Sequence, residues 1–261
     1  MLHLMEDYDI VGRSKAMHNL AELALRVSHV RSTVLITGES GVGKDVFCRM
    51  ICRFAGSPDY IKISCGNLPE NLLESELFGY EAGAFTGANR TGKRGIFELA
   101  GDGVIFLDEI GDISPKLQSR LLRTIQEHQI MRVGSDRMIE IDVRFITATN
   151  RNLEQAVREG TFRSDLFFRL NVLPVVIPPL RKRKDDILVL LQYFLGGDFK
   201  NITAQDLTLL SKYDWPGNIR ELENVATYYK TLLSLPEYIT EQRFTDAAFT
   251  TEVDIQETVL K

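Results

Sequence analysis

A doubly wound α/β parallel sheet followed by an all-helical subdomain is the fold this sequence predicts, from three observations. Over roughly the first 150 residues, short apolar runs alternate with amphipathic stretches of helical period. A glycine-rich loop, Gly38-Glu39-Ser40-Gly41-Val42-Gly43-Lys44, joins one such run to one such stretch. From about Leu180 onward the apolar runs of strand length cease. Continuous apolar strands are what a parallel sheet needs when helices cover both of its faces, because neither face meets water.

In chain order, Ala16 to Arg31 reads as helix, Val34 to Thr37 as strand, Asp45 to Phe54 as helix and Tyr60 to Ser64 as strand. Val104 to Leu107 and Val143 to Thr147 complete the buried strands. Asp185 to Leu195, Ala204 to Lys212 and Asn218 to Leu233 then read as helices. Asn218 follows Pro216-Gly217 and precedes Glu221 by three residues, the spacing of a capping box with Asn in place of Ser or Thr. The expected division is an α/β subdomain over 1–178, a helical subdomain over 179–244 and a tail or linker over 245–261.

With 261 residues, 44% hydrophobic and 26% charged, the chain can bury one large core and a small satellite. No apolar run approaches the roughly 18 residues of a membrane span, and the opening MLHLMEDYDIVGRS lacks a basic segment before an apolar core, so a cytoplasmic location without a membrane partner is expected. A net charge of -5 argues against a surface devoted to nucleic acid. The run Arg181-Lys182-Arg183-Lys184 is answered at once by Asp185-Asp186 and reads as a solvated interdomain face. Cys48 and Cys52, one helical turn apart, read as buried thiols, and His3, His18, His29 and His128 are dispersed, so no zinc-type cluster is expected.

The loop matches the first seven positions of the phosphate-binding pattern G-x-x-x-x-G-K followed by Ser or Thr, in its strand-then-helix setting. Glycines let successive N–H groups turn inward around a phosphate, and the next helix aims its positive end at the same anion. Lys44 adds a cation for the β and γ phosphates. Asp45 stands where a hydroxyl would coordinate Mg²⁺, and a carboxylate there repels a triphosphate unless the metal or Lys44 intervenes. A second centre is Asp108-Glu109, at the carboxyl end of an apolar strand, where ligands bind in open α/β sheets. Asp108 suits Mg²⁺, directly or through water, and Glu109 suits orienting and polarising an attacking water.

These two belong to a series of eight ordered motifs: GESGVGKD at 38–45, ESELFGYEAGAFTGA at 74–88, GVIFLDEIGDIS at 103–114, then RVGSD, FITATNR, FRSDLFFRLNV, PPLRKRKDDI and WPGNIRELENV. Through them the chain, from Ile10 to about Thr240, closely resembles the central AAA+ ATPase domain of sigma-54-dependent transcriptional activators, the bacterial enhancer-binding proteins. The resemblance implies a AAA+ P-loop NTPase with a helical lid, ATP and Mg²⁺ as cofactors, and a homo-oligomeric ring, usually a hexamer. It places nucleotide contacts at Ile10, Val11, Gly38, Glu39, Ser40, Gly41, Val42, Gly43, Lys44, Asp45, Val46 and Arg220, the last as sensor II. Metal falls to Asp108 and Asp45, since an acid after the loop lysine belongs to the family pattern. Asn150, after Thr149, takes the place of sensor I, and Arg163 and Arg169 lie in the arginine-finger region that serves a neighbouring subunit.

The hexapeptide Gly83-Ala84-Phe85-Thr86-Gly87-Ala88 corresponds to the loop that binds sigma-54 in RNA polymerase holoenzyme, assisted by Gly134 to Arg137. Ser64 stands where the family commonly has an Asn that restrains the glutamate, which implies looser coupling; Asn67 lies nearby. Gly196 to Asn201 is shorter than the family's usual connection. The implied function is an ATP-hydrolysing motor that remodels the sigma-54 closed complex so that promoter DNA opens. Two alternatives stay open: a nucleotide-binding assembly switch with weak turnover, motivated by Asp45 and Ser64, and a AAA+ remodeller of another protein. Seventeen residues after Phe244 are too few for a helix-turn-helix, so enhancer DNA is expected to be bound only through a domain absent from this chain.

Overall fold

The computed structural model describes residues 11–56, 59–85 and 89–241. Its elements begin with α1 (Lys15–Ser28), β1 (Val34–Thr37), α2 (Lys44–Phe54), β2 (Tyr60–Ser64), α3 (Glu70–Phe78), β3 (Gly79–Tyr80), β4 (Lys93–Arg94), α4 (Ile96–Leu99) and β5 (Val104–Asp108). They continue with α5 (Pro115–Glu127), β6 (Gln129–Met131), β7 (Met138–Glu140), β8 (Arg144–Thr149), α6 (Leu153–Arg158), α7 (Ser164–Leu170) and β9 (Leu173–Val176). Then come α8 (Asp185–Leu195), α9 (Ala204–Lys212), α10 (Asn218–Leu232) and α11 (Glu237–Thr240). Two compact units result, one of Leu23–Gly38 with Lys44–Val176, the other of Met1–Glu22 with Glu39–Gly43 and Ile177–Lys261.

In the first unit, among the described residues, five strands pair in the order β2-β5-β8-β1-β9, and every pair is parallel. Ser64 lies opposite Asp108, Leu107 opposite Thr147, and Thr147 opposite Leu35, so all the carboxyl ends share one edge. The apolar runs are explained by burial on both faces: Ile105, Phe106, Leu107, Ile146 and Ala148 have no exposed surface. Phe97 packs on Phe78 and on Phe145, with ring centroids 5.2 and 5.8 Å apart. The thiols of Cys48 and Cys52 are buried in this core, as expected, and neither forms a disulfide.

Several features differ from the sequence reading. β9 has no counterpart in the sequence reading; despite Pro174 it is an edge strand beside β1, where a missing N–H costs no ladder bond on the open side. α1 ends at Ser28 instead of Arg31: the buried guanidinium of Arg144 donates to the carbonyls of Val27 (2.6 Å) and Ser28 (3.3 Å), satisfying the last acceptors of the helix. β8 runs on through Thr149, two residues past the predicted end. Helix α5 also went unread, although Ser114 caps it by accepting from the Leu117 N–H at 3.3 Å and Pro115 opens its first turn.

The second unit has its own core, in which Leu180, Ile187, Leu191, Trp215, Leu222 and Val225 are buried. Trp215 donates its indole N–H to the Leu210 carbonyl at 3.0 Å and stands edge-on to Tyr213. Asp186, fully buried in the first turn of α8, accepts from the Arg13 and Ser14 N–H groups, both at 2.7 Å, and from the Ser14 hydroxyl at 2.8 Å. Gly196 to Asn201 is a 3-10 segment joining α8 to the Thr203-capped α9. Only half of the expected capping box forms at α10. The Glu221 carboxylate accepts from the Gly217 N–H at 2.8 Å, but Gly217 is the N-cap, and Asn218, at φ 56°, turns its carboxamide elsewhere.

Candidate functional site

β5 carries Asp108 and Glu109 to the carboxyl edge of the sheet. Asp108 accepts the Glu109 N–H at 3.0 Å through one oxygen and faces the Lys62 ammonium at 3.6 Å with the other. Glu109 leaves the strand in the left-handed region, φ 57°, an uncommon state for a residue with a side chain and one that collects at functional sites. Its carboxylate accepts the Ser64 hydroxyl at 2.5 Å, and Ser64 is in reach because β2 and β5 are registered at Ser64 and Asp108. A Cβ on Gly66 would come within 2.8 Å of the same carboxylate oxygen, so glycine there leaves room for Glu109. Burial, then the charges of Asp108, Glu109 and Asp112, push the Cys65 thiol up to about 12, which keeps it neutral beside the acids.

Two neighbouring segments of the same unit converge on this edge. Lys44 opens α2, and its ammonium donates to the Gly38 carbonyl at 2.8 Å, while the Gly38 N–H donates to the Thr149 carbonyl at 3.3 Å. Asn150 follows, exposed, and the Thr149 hydroxyl accepts from the Arg151 N–H at 3.0 Å. Arg151 in turn pairs with Asp112. Asp45, in the first turn of α2, faces Arg49 at 3.6 Å, with Val46 half-buried beside it.

In the second unit the loop residues Ser40, Gly41 and Val42 are held by their carbonyl groups. Asn218 donates its amide to the Ser40 carbonyl at 3.0 Å, the Ile219 N–H donates to the Gly41 carbonyl at 3.0 Å, and Arg183 donates to the Val42 carbonyl at 2.7 Å. Gly41 sits at φ 76°, and a Cβ there would lie 2.4 Å from the Gly217 carbonyl, so no other residue fits unstrained. With the carbonyls taken, the N–H groups of Ser40, Gly41, Val42 and Gly43 donate to no protein group among the described residues. That is the arrangement an anion-binding nest requires.

Arg181 grips the Glu39 carboxylate with both guanidinium ends, at 2.6 and 2.8 Å, and holds it below the usual carboxylate range. Arg220 reaches the Ser40 hydroxyl at 3.2 Å, and Val11 packs on the core of this unit. The basic run 181–184 is therefore not simply a solvated face. Arg183 is 3% exposed and Arg181 is engaged, while Lys182 and Lys184 alone point to water, because the 3-10 turn and its exit turn alternate residues inward. Sequence reasoning missed Arg181, Arg183 and Asn218 as neighbours of the loop.

The remaining candidates lie apart. Arg163 forks onto Asp165 at 2.8 and 3.0 Å and touches the Ser119 hydroxyl at 3.3 Å. Arg169 is exposed on α7 and makes no ion pair among the described residues, next to Phe168, which is 71% exposed. Phe85 rests edge-on against Tyr80, centroids 5.0 Å apart, and a Cβ on Gly134 would lie 2.8 Å from the Ala84 side chain, so the two predicted contact loops touch. Gly83 is exposed at the start of its loop. Ile10, Thr86, Gly87 and Ala88 lie outside the described residues.

The family described as "Sigma-54 interaction domain" matches residues 10–176, and the one described as "AAA+ ATPase lid domain" matches residues 181–258. The chain belongs to the sigma-54 interaction domain family. It is similar to the nitrogen fixation protein AnfA of Azotobacter vinelandii, 47% identical over 228 residues that cover 83% of this chain and 42% of that protein. It is likewise similar to the transcriptional regulatory protein ZraR of Escherichia coli, 46% identical over 258 residues that cover 95% of this chain and 58% of the relative. The structure of NtrX from Brucella abortus in complex with ADP superposes with a TM-score of 0.81 at 32% identity, covering 89% of this chain and 55% of NtrX. The chain thus spans about half the length of these relatives. The five-stranded parallel sheet is the AAA+ sheet that the family implies. Among the described residues no helix is long and apolar enough to cross a membrane.

Proposed function

We propose that this chain is the ATP-hydrolysing motor of a sigma-54-dependent transcriptional activator, working as a ring. The observation that carries the reading is the delivery of Asp108 and Glu109 to the carboxyl edge of the same parallel sheet whose β1 ends at the phosphate loop. The structures of NtrX with ADP and with ATP support a nucleotide on this fold. The loop N–H groups and Lys44 bind the phosphates, Asn150 senses the γ-phosphate, Arg220 reaches the nucleotide from the helical residues, and Arg163 or Arg169 serves the neighbouring subunit.

Mg²⁺ fits the donor set, because Asp108 offers an oriented carboxylate and a hard cation takes one or two carboxylates together with phosphate oxygens and water. Asp45 is the second candidate ligand. The ion, when bound, neutralises charge on the phosphates. Glu109 orients and polarises the water that attacks the γ-phosphorus. Its hydrogen bond to Ser64 competes with that role. Ser64→Ala is expected to raise basal hydrolysis about threefold, the low end of what one net hydrogen bond contributes; an unchanged steady-state rate would show that the contact restrains nothing.

The 83–88 loop is the proposed contact for sigma-54 in the polymerase holoenzyme. Thr86→Ala is expected to leave ATP hydrolysis intact and to abolish retention of sigma-54 in a pull-down with a transition-state analogue of ATP; undiminished retention would remove the loop from its assigned role. The primary test is ATP hydrolysis measured across protein concentration, with nucleotide binding followed on the same samples. Activity per subunit that climbs with concentration supports a ring with shared sites. Binding without turnover at every concentration supports the assembly switch instead.

A further inference from the structure

The basic segment after Leu180 places one cation where the nucleotide reading has left a problem. Glu39 is the second residue of the phosphate loop, and a bare carboxylate there would oppose a triphosphate carrying several negative charges. Arg181 covers that carboxylate bidentately, at 2.6 and 2.8 Å, and Asn218 donates a further hydrogen bond to it at 3.1 Å. The fork matches guanidinium to carboxylate geometry, which a lysine cannot reproduce. Arg183 is buried and is spent on the Val42 carbonyl and the Met17 sulfur, 2.7 and 2.9 Å away.

We propose that Arg181 is a positioning and charge-shielding residue for the nucleotide, acting through Glu39: it cancels the one carboxylate built into the loop apex and fixes the apex through the Glu39 side chain. The inference rests on the nucleotide reading above. Stability is not its main consequence. The side chains of Arg181 and Glu39 are 28% and 41% exposed, and ion pairs of that exposure contribute little to folding. An uncancelled charge beside a polyanion is felt at much lower screening once the ligand excludes water.

The test is a charge cycle on the full chain with Arg181→Gln, Glu39→Gln and the double variant, read by equilibrium binding of ribose-labelled fluorescent ADP and ATP with Mg²⁺, and by KM and kcat for ATP. Arg181→Gln is expected to weaken ATP binding about tenfold, ADP binding less, and to raise KM while kcat changes little. Adding Glu39→Gln is expected to restore ATP affinity to within about threefold of the parent, which a packing defect would not allow. Glu39→Gln alone should bind ATP at least as tightly as the parent, and this arm stands even where Arg181→Gln folds poorly. Unchanged affinity in Arg181→Gln, no recovery in the double variant, or tenfold weaker binding in Glu39→Gln overturns the shielding role. A parent chain that binds neither nucleotide overturns the nucleotide reading itself, and the inference falls with it.

Discussion

Glu109→Gln is expected to lower ATP turnover by roughly 10²–10⁴-fold, the usual worth of a positioned acid–base group, while ATP stays bound. The substitution keeps the volume of the side chain, and an amide oxygen can still accept the Ser64 hydroxyl that now meets Glu109 at 2.5 Å. What is lost is the negative charge that polarises water. The backbone at φ 57° and the space above Gly66 need not change. The decisive measurement is single-turnover hydrolysis combined with recovery of protein-bound ATP after gel filtration. Trapped ATP with turnover lost is the expected result. Turnover within about threefold of the parent would remove Glu109 from its role, since general acid–base groups contribute far more than that.

The second large effect is expected at Arg169. An arginine offered to the phosphoryl-transfer transition state is worth about 10³–10⁵ in rate, so Arg169→Ala should lose at least about 10³-fold in kcat with nucleotide binding retained. Arg163→Ala should lose less, because the Arg163 guanidinium is already committed to Asp165 and Ser119, whereas Arg169 faces solvent. The trans character is checked by mixing. Arg169→Ala subunits still carry Glu109, and Glu109→Gln subunits still carry Arg169, so mixed rings regain complete sites. Activity of the mixture well above the sum of its parts is the expected outcome. A mixture no better than the sum would place the arginine's action within its own subunit, or nowhere near the chemistry.

Much of the fold was legible because the relevant physics is local. Val34, Leu35 and Ile36 in β1 and Val104–Leu107 in β5 are unbroken apolar runs, and only strands covered on both faces have reason to be. β9 contains Pro174, the mark of a strand breaker, and that mark is silent about which edge of a sheet is free. The end of α1 escaped because it is set by Arg144, a residue more than a hundred positions away in the chain. The capping box at α10 was half right: spacing alone identified Glu221, but whether Asn218 caps or reaches for Ser40 depends on what is packed in front of it.

By itself the sequence determined the family, the fold class with four of the five central strands, and the chemical types at the site, because motif spacing and apolar period are properties of neighbours along the chain. Lys44, Asp108, Glu109 and Asn150 could all be named from it. Only the tertiary structure decided what each of them touches. Ser64 meets Glu109 because of strand register, Arg181 cancels Glu39 across a separation of 142 residues, and Arg163 is tied down while Arg169 is not. Hydrogen bonds and charge pairs act over a few ångströms in space, and a linear sequence holds no record of those distances until the chain has folded.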